Sequence, residues 1–124
     1  MKTERPVNLD LFKFKFPVMA IVSVLHRISG VVIFLFIPFM LYILHQSLIS
    51  QSSFEAIQSC LQHPVAKTFV WMMLAAVIFH LFAGIRHLMM DLGFAEGRQA
   101  GRFTAWLVIS IAAIAVILMG VWLW

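Results

Sequence analysis

The chain has 124 residues, 63% of them hydrophobic and 11% charged, with a formal charge of +4 and a mean hydropathy of +1.00. Soluble domains run roughly 45–50% apolar and about 25% charged, so a chain this short cannot hide its apolar excess in one core. A soluble globule is excluded and lipid must be the solvent for much of the surface; the basic excess flanks apolar stretches and forms no patch, which argues against a nucleic-acid partner.

Residues 1–16 are polar and mixed in charge, with no short apolar region followed by a small-residue cleavage site. Glu4 and Asp10 do not suit an acid-poor transit peptide. The first span is therefore expected to act as its own uncleaved insertion signal. A span needs about 20 mostly apolar residues. Val31 to Leu44 is an uncharged core that extends, through mildly polar residues, to a first span over about 20–49. Pro38 inside it should kink the helix or free a carbonyl for another helix.

In the following loop Ser53 is expected to cap a short helix with Phe54, Ile57 and Leu61 on one face. Pro64 should stop that helix, which would lie on the outer membrane surface. Cys60 is the only cysteine, so this chain alone forms no internal disulfide and no cysteine-ligated iron–sulfur cluster. It reads as an inert loop thiol.

The second span runs over about 65–90 and is apolar from Thr68 to Ile85 apart from His80. Gly93, Gly97 and Gly101 follow at four-residue spacing, which resembles a helix-dimerisation motif; among charges and outside the spans, they read as a flexible turn. The third span, 103–124, has only Thr104 and Ser110 as polar side chains, and at about 1.5 Å per residue it reaches about 33 Å. Trp71, Trp106, Trp122 and Trp124 mark span ends as interfacial anchors.

Backbone groups in lipid must be satisfied internally, so the spans are helices: an all-α integral membrane chain, one membrane-anchor domain crossing three times. Lys2, Arg5, Lys13, Lys15 and Arg27 precede or open span one, and Arg98 and Arg102 lie between spans two and three, whereas the loop between spans one and two offers only Lys67. The positive-inside rule puts the N-terminus in the cytoplasm and the C-terminus outside.

Two polar clusters lie where lipid rejects polar groups, and such residues are functional candidates. The first is Ser23, His26, Arg27, Ser29 and Gly30. On a helix starting near Val18, Ser23, Arg27 and Gly30 fall at i, i+4 and i+7 with His26 at i+3, one shared face. A hydroxyl, an imidazole and a guanidinium there can hydrogen-bond a carbonyl or pair with a carboxylate. Alternatively, Arg27 snorkels to headgroups and Ser23 bonds its own backbone.

The second cluster is His80, Gly84, Arg86, His87 and Asp91, of which His80, Gly84, His87 and Asp91 form one helical stripe. Counting from Asp91, His80 lies about 16 Å deep, near mid-membrane. A mid-bilayer imidazole needs a strong partner, a metal or a carbonyl on another helix. Gly84 leaves room for a flat group, and Arg86, His87, His26 and Arg27 form a cationic layer able to neutralise the acid groups of a buried cofactor. Haem b meets that description; a purely packed histidine is the alternative. His45 and His63 read as solvated or interfacial.

Two segments carry a resemblance. Arg5-Pro6 with Ser23-Val24-Leu25-His26-Arg27-Ile28-Ser29-Gly30, and then His80-Leu81-Phe82-Ala83-Gly84-Ile85-Arg86-His87-Leu88-Met89-Met90-Asp91, resemble the two signatures of the cytochrome b556 membrane subunits of bacterial succinate dehydrogenase. The motifs match without a gap, and with three spans the resemblance covers nearly the whole chain. It implies a large anchor subunit of a four-subunit complex in the bacterial inner membrane, serving the tricarboxylic acid cycle and respiratory chain. The partners it implies are a second membrane anchor, an iron–sulfur protein and a flavoprotein. FAD and the clusters would sit only on those partners, and electrons would pass to ubiquinone. By the same resemblance His80 is an axial haem b ligand, the other coming from the partner anchor. Ser23 and Arg27 are quinone-site residues, and His26, Arg27 and His87 lie near the haem propionates.

With one cysteine and no flavin fingerprint, the chain carries no complete active site, so its own chemistry is the quinone end of the reaction. Three alternatives stand beside this reading: an anchor of a quinol:fumarate reductase, a structural anchor with a dispensable haem, and a small transport or proton-relay subunit using His80 and His87.

Overall fold

A computed structural model describes residues 15–124. Lys2, Arg5-Pro6 and Lys13, used above for orientation and resemblance, and Glu4 and Asp10, used for the leader, lie outside the described residues. Four helices follow in order: α1 Val18–Ile49, α2 Gln51–Leu61, α3 Pro64–Asp91 and α4 Arg98–Leu123. No strand occurs among the described residues. Helices α1, α3 and α4 are long and apolar enough to cross a membrane. At about 1.5 Å per residue they run about 48, 42 and 39 Å, beyond the roughly 30 Å hydrocarbon layer, so their ends reach the headgroups or the helices tilt.

Helix α3 packs against both α1 and α4, which also touch each other, and α2 leans on α1 and α3. The buried core is small and lies towards one end: Val22 of α1, Ala83 of α3, and Ala105 and Val108 of α4, with Val18, Met19, Phe79, Phe82 and Ile109 against them. Lipid is as apolar as leucine, so helices associate in it through close backbone approach and polar ties, and alanine and glycine suit that role. At Gly101 an added Cβ would lie 2.6 Å from Met19 Sδ, so α1 and α4 keep this approach beside a larger residue only if the Met19 side chain shifts.

The connections correct several expectations. Ser50, not Ser53, caps α2: its hydroxyl accepts from Ser53 N–H at 3.1 Å, while Ser53 Oγ donates back to the Gln46 carbonyl at 2.6 Å. Pro64 opens α3 at its first position, where its missing N–H costs nothing, and the His63 side chain caps that start by accepting from Val65 N–H at 3.3 Å. The glycine segment forms a turn between α3 and α4, as expected, with Gly101 as the exception. Phe94 N–H reaches Met89 O at 2.9 Å and Gly93 N–H reaches Met90 O at 3.0 Å, a Schellman closure of α3 with Gly93 at φ +86°. Gly97 then caps α4, and Gly101 is buried inside it. Pro38 lies within α1, which runs unbroken to Ile49.

Trp71 departs from its expected part as a lipid anchor. Its indole N–H donates to the Val116 carbonyl at 3.0 Å, its ring lies against Gly120, and it meets Trp124 edge-on at 6.5 Å. It ties α3 to α4, whereas Trp106, Trp122 and Trp124 are exposed.

Candidate functional site

Around the core, α1 and α3 bring His26, His80 and His87 together. His80 and His87 are two turns apart on α3, and the His26 ring of α1 enters between them. It stacks on His80 with centroids 4.1 Å apart and planes 16° from parallel, and on His87 at 4.9 Å and 21°. The His26 ring lies over Gly84, where an added Cβ would stand 3.4 Å from His26 Nε2, in ordinary contact. The His26 imidazole meets α3 at Gly84, the position expected to lie against a flat group. Gly30 plays the reciprocal part, since its missing Cβ would lie 3.1 Å from His80 Cε1.

His80 Nδ1 sits 3.1 Å from the His26 carbonyl and 3.0 Å from Ser29 Oγ, and the Ser29 hydroxyl itself donates to that carbonyl at 2.8 Å. The hydroxyl's single hydrogen is therefore used on the carbonyl, so both oxygens near Nδ1 accept. A protonated Nδ1 satisfies them; a bare one would set its lone pair against the carbonyl's. The geometry assigns the Nδ1–H tautomer and leaves the Nε2 lone pair uncommitted, with no partner among the described residues. An imidazole tied through one nitrogen to a carbonyl, with the other free, is arranged as a metal ligand. The three rings lie face to face instead of converging on a point, and no group of three or more His, Cys, Asp or Glu among the described residues could hold a metal ion.

The first cluster divides between two faces instead of sharing one. Val22, His26, Ser29 and Gly30 turn towards α3; Ser29 is 7% exposed. Arg27 is exposed and Ser23 half-buried, and neither side chain has a hydrogen-bond or ionic partner among the described residues. Ser29 and Ser47 bond their own helix backbone, but Ser23 does not, so its hydroxyl stays available.

Arg86 leaves the expected cationic layer. It is 5% exposed and turned to α4, with Nε donating to Thr104 Oγ1 and Nη2 to the Gly101 carbonyl, each at 3.2 Å. Its role is to hold α3 against the start of α4. His87 donates Nδ1–H to Ala83 O at 2.8 Å, one turn back on its own helix. His45 is exposed near the α2 end, fifteen residues past Gly30 and so about 22 Å further along α1; it is not brought to His80. Cys60 is exposed on α2. Sequence reasoning missed the functions of Ser29 and Arg86. For Ser29 the signal was its place beside Gly30 and three residues after His26, which says that it shares a face but not that His80 meets it.

Fold and site define a polytopic all-α membrane protein with a histidine cluster between its first two spans. Residues 1–119 match the family of succinate dehydrogenase/fumarate reductase transmembrane subunits. The succinate dehydrogenase cytochrome b556 subunit of Coxiella burnetii is 54% identical over 125 residues, covering 100% of both chains. The succinate dehydrogenase cytochrome b560 subunit of Reclinomonas americana is 30% identical, over 90% of this chain and 81% of its own. Succinate dehydrogenase 2 membrane subunit SdhC of Mycobacterium tuberculosis is 29% identical, over 79% of this chain and 71% of its own. The chain belongs to the succinate dehydrogenase/fumarate reductase transmembrane-subunit family.

Proposed function

We propose that this chain is the cytochrome b anchor of a succinate:quinone oxidoreductase, with His80 as an axial haem b ligand and Ser23 and Arg27 at the ubiquinone site. The observation that carries the reading is the His80 imidazole, held at Nδ1 by the His26 carbonyl and Ser29 with Nε2 left free. The relatives' names support it, since those from Coxiella burnetii and Reclinomonas americana are called cytochromes b556 and b560 of succinate dehydrogenases. They also favour succinate oxidation over the fumarate-reducing direction that the family includes.

When bound, haem supplies a one-electron iron centre beside the route from the iron–sulfur partner to quinone. His80 Nε2 would donate to that iron. His26 stacks on His80 by its face, and the family resemblance would have a second iron ligand come from the partner anchor. His26, Arg27 and His87 lie on the side of His80 nearer the start of α1 and the end of α3, suited to the propionates. Arg27 and Ser23, one turn apart and both uncommitted, offer a guanidinium and a hydroxyl to a quinone carbonyl; hydrogen-bond donors there favour the charge that develops on that oxygen during reduction. The positive-inside rule supports reading the end bearing Lys15, Arg27, Arg98 and Arg102 as the cytoplasmic side of a bacterial inner membrane, where the soluble partners would dock.

The test uses the purified four-subunit complex. Wild type should give a b-type reduced-minus-oxidised spectrum, and His80→Ala should perturb it; a spectrum unchanged by His80→Ala would place the ligand elsewhere. Arg27→Leu should lower quinone reduction about 10-fold or more, since a hydrogen bond from a charged donor is worth roughly 1.5–3 kcal/mol, while succinate oxidation with an artificial acceptor persists. Equal loss of both activities would remove Arg27 from the quinone site.

A further inference from the structure

Ser29 is buried at the α1–α3 contact, and its bonds do more than leave Nε2 of His80 free. Its hydroxyl donates to His26 O at 2.8 Å and lies 3.0 Å from His80 Nδ1. That gives the Nδ1–H two acceptors, Ser29 Oγ and His26 O at 3.1 Å, on neighbouring turns of one helix. One acceptor lets an imidazole swing about the bond; two define the plane in which the ring lies. Gly30 sets the remaining limit, because the ring edge at Cε1 comes so close that an added Cβ would stand only 3.1 Å from it. The His26 ring, 4.1 Å from the His80 ring and 16° from parallel, closes one face.

We infer that Ser29 is a positioning residue: with the His26 carbonyl it fixes the plane and tautomer of His80, and so the direction in which Nε2 presents its lone pair to haem iron. The inference rests on the haem reading of His80. Partners on the far nitrogen of a metal-bound imidazole orient the ring and raise its basicity, so their loss changes the metal centre even when the ligand stays. A residue that merely fills space would leave those properties alone.

The experiment compares Ser29→Ala, Ser29→Thr and Ser29→Val in the assembled complex, with His80→Ala alongside. Threonine and valine have nearly the same shape, so their difference isolates the hydroxyl. Three quantities are read: haem content, the low-spin haem electron paramagnetic resonance signal, and the haem midpoint potential. In Ser29→Ala and Ser29→Val the largest g value should shift and broaden and the potential should move, while Ser29→Thr stays near wild type. Ala and Val complexes that lose haem while the Thr complex keeps it also support the inference. Unchanged g values and potential in Ser29→Ala at full haem content would overturn it, as would equal effects of Thr and Val. His80→Ala separates the two levels. If it leaves the signal intact, the ligand assignment itself fails; if it abolishes the signal while Ser29→Ala changes nothing, only the positioning role fails.

Discussion

The two ends of this bundle are joined in different ways. At the end formed by the start of α1, the end of α3 and the start of α4, helices meet through missing side chains and polar ties: Gly30 against His80, Gly101 against Met19, and Arg86 reaching Thr104 and Gly101. At the other end α1, α2 and α3 stand apart around an open apolar groove of about 750 Å³, lined by Phe36, Phe39, Met40, Ile57 and Phe69 among others. Apolar area is abundant at both ends. Between α1 and α3 only the first end is closed, because in lipid apolar area by itself does not drive helices together; at the other end α3 is tied to α4 alone, by the Trp71 indole on the Val116 carbonyl. The difference teaches that the polar residues hold the bundle as well as forming its site.

The largest effect on stability is expected from Arg86→Leu. It removes two charge-assisted hydrogen bonds between α3 and α4, worth about 3 kcal/mol together given that such bonds contribute roughly 0.6–2 kcal/mol in membranes. Denaturation of the complex in detergent would register the loss; an unchanged midpoint would show that the clamp contributes nothing. Gly101→Ala should cost less, about 1–2 kcal/mol, since the new methyl meets Met19 Sδ, the far end of a flexible side chain. Met19→Ala in the same chain should recover most of it, and failure to recover would move the conflict to another contact. The smallest effect is expected from Phe39→Ala, below about 1 kcal/mol, because Phe39 is half exposed and lines the open groove. Should Phe39→Ala prove costlier than Arg86→Leu in the same assay, the comparison of the two ends would be reversed.

Much of this was legible from residue order. Three apolar runs separated by polar ones define the spanning helices, and the depth of His80 within its run singled it out. The partners across the interface were not legible. Helical spacing shows that His80, Gly84 and His87 share a stripe, but a vacancy at Gly84 does not say what fills it, and the His26 ring comes from a residue 58 positions away. Arg86 looked like one more cation of a layer until the approach of α4 gave it Thr104 and Gly101. Lipid-facing residues here are as apolar as buried ones, so periodicity carries little information about which face turns inwards. The cap of α2 was misplaced for a simpler reason: Ser50, Ser52 and Ser53 crowd the same corner, and any of them has the required oxygen.

Position 26 contributes to the site twice, through its ring in the stack and through its carbonyl under His80. Side-chain replacement reaches only the first. Whatever amino acid stands there, the main chain still presents an oxygen to His80 while α1 keeps its register, so part of the cradle lies beyond the reach of point mutation. An insertion or deletion between Val18 and His26 would act differently, rotating every later residue of α1 by about 100° against α3 unless the helix start slips to absorb it. Lineages carrying this arrangement should therefore tolerate exchange at position 26 more readily than any change in the length of that segment.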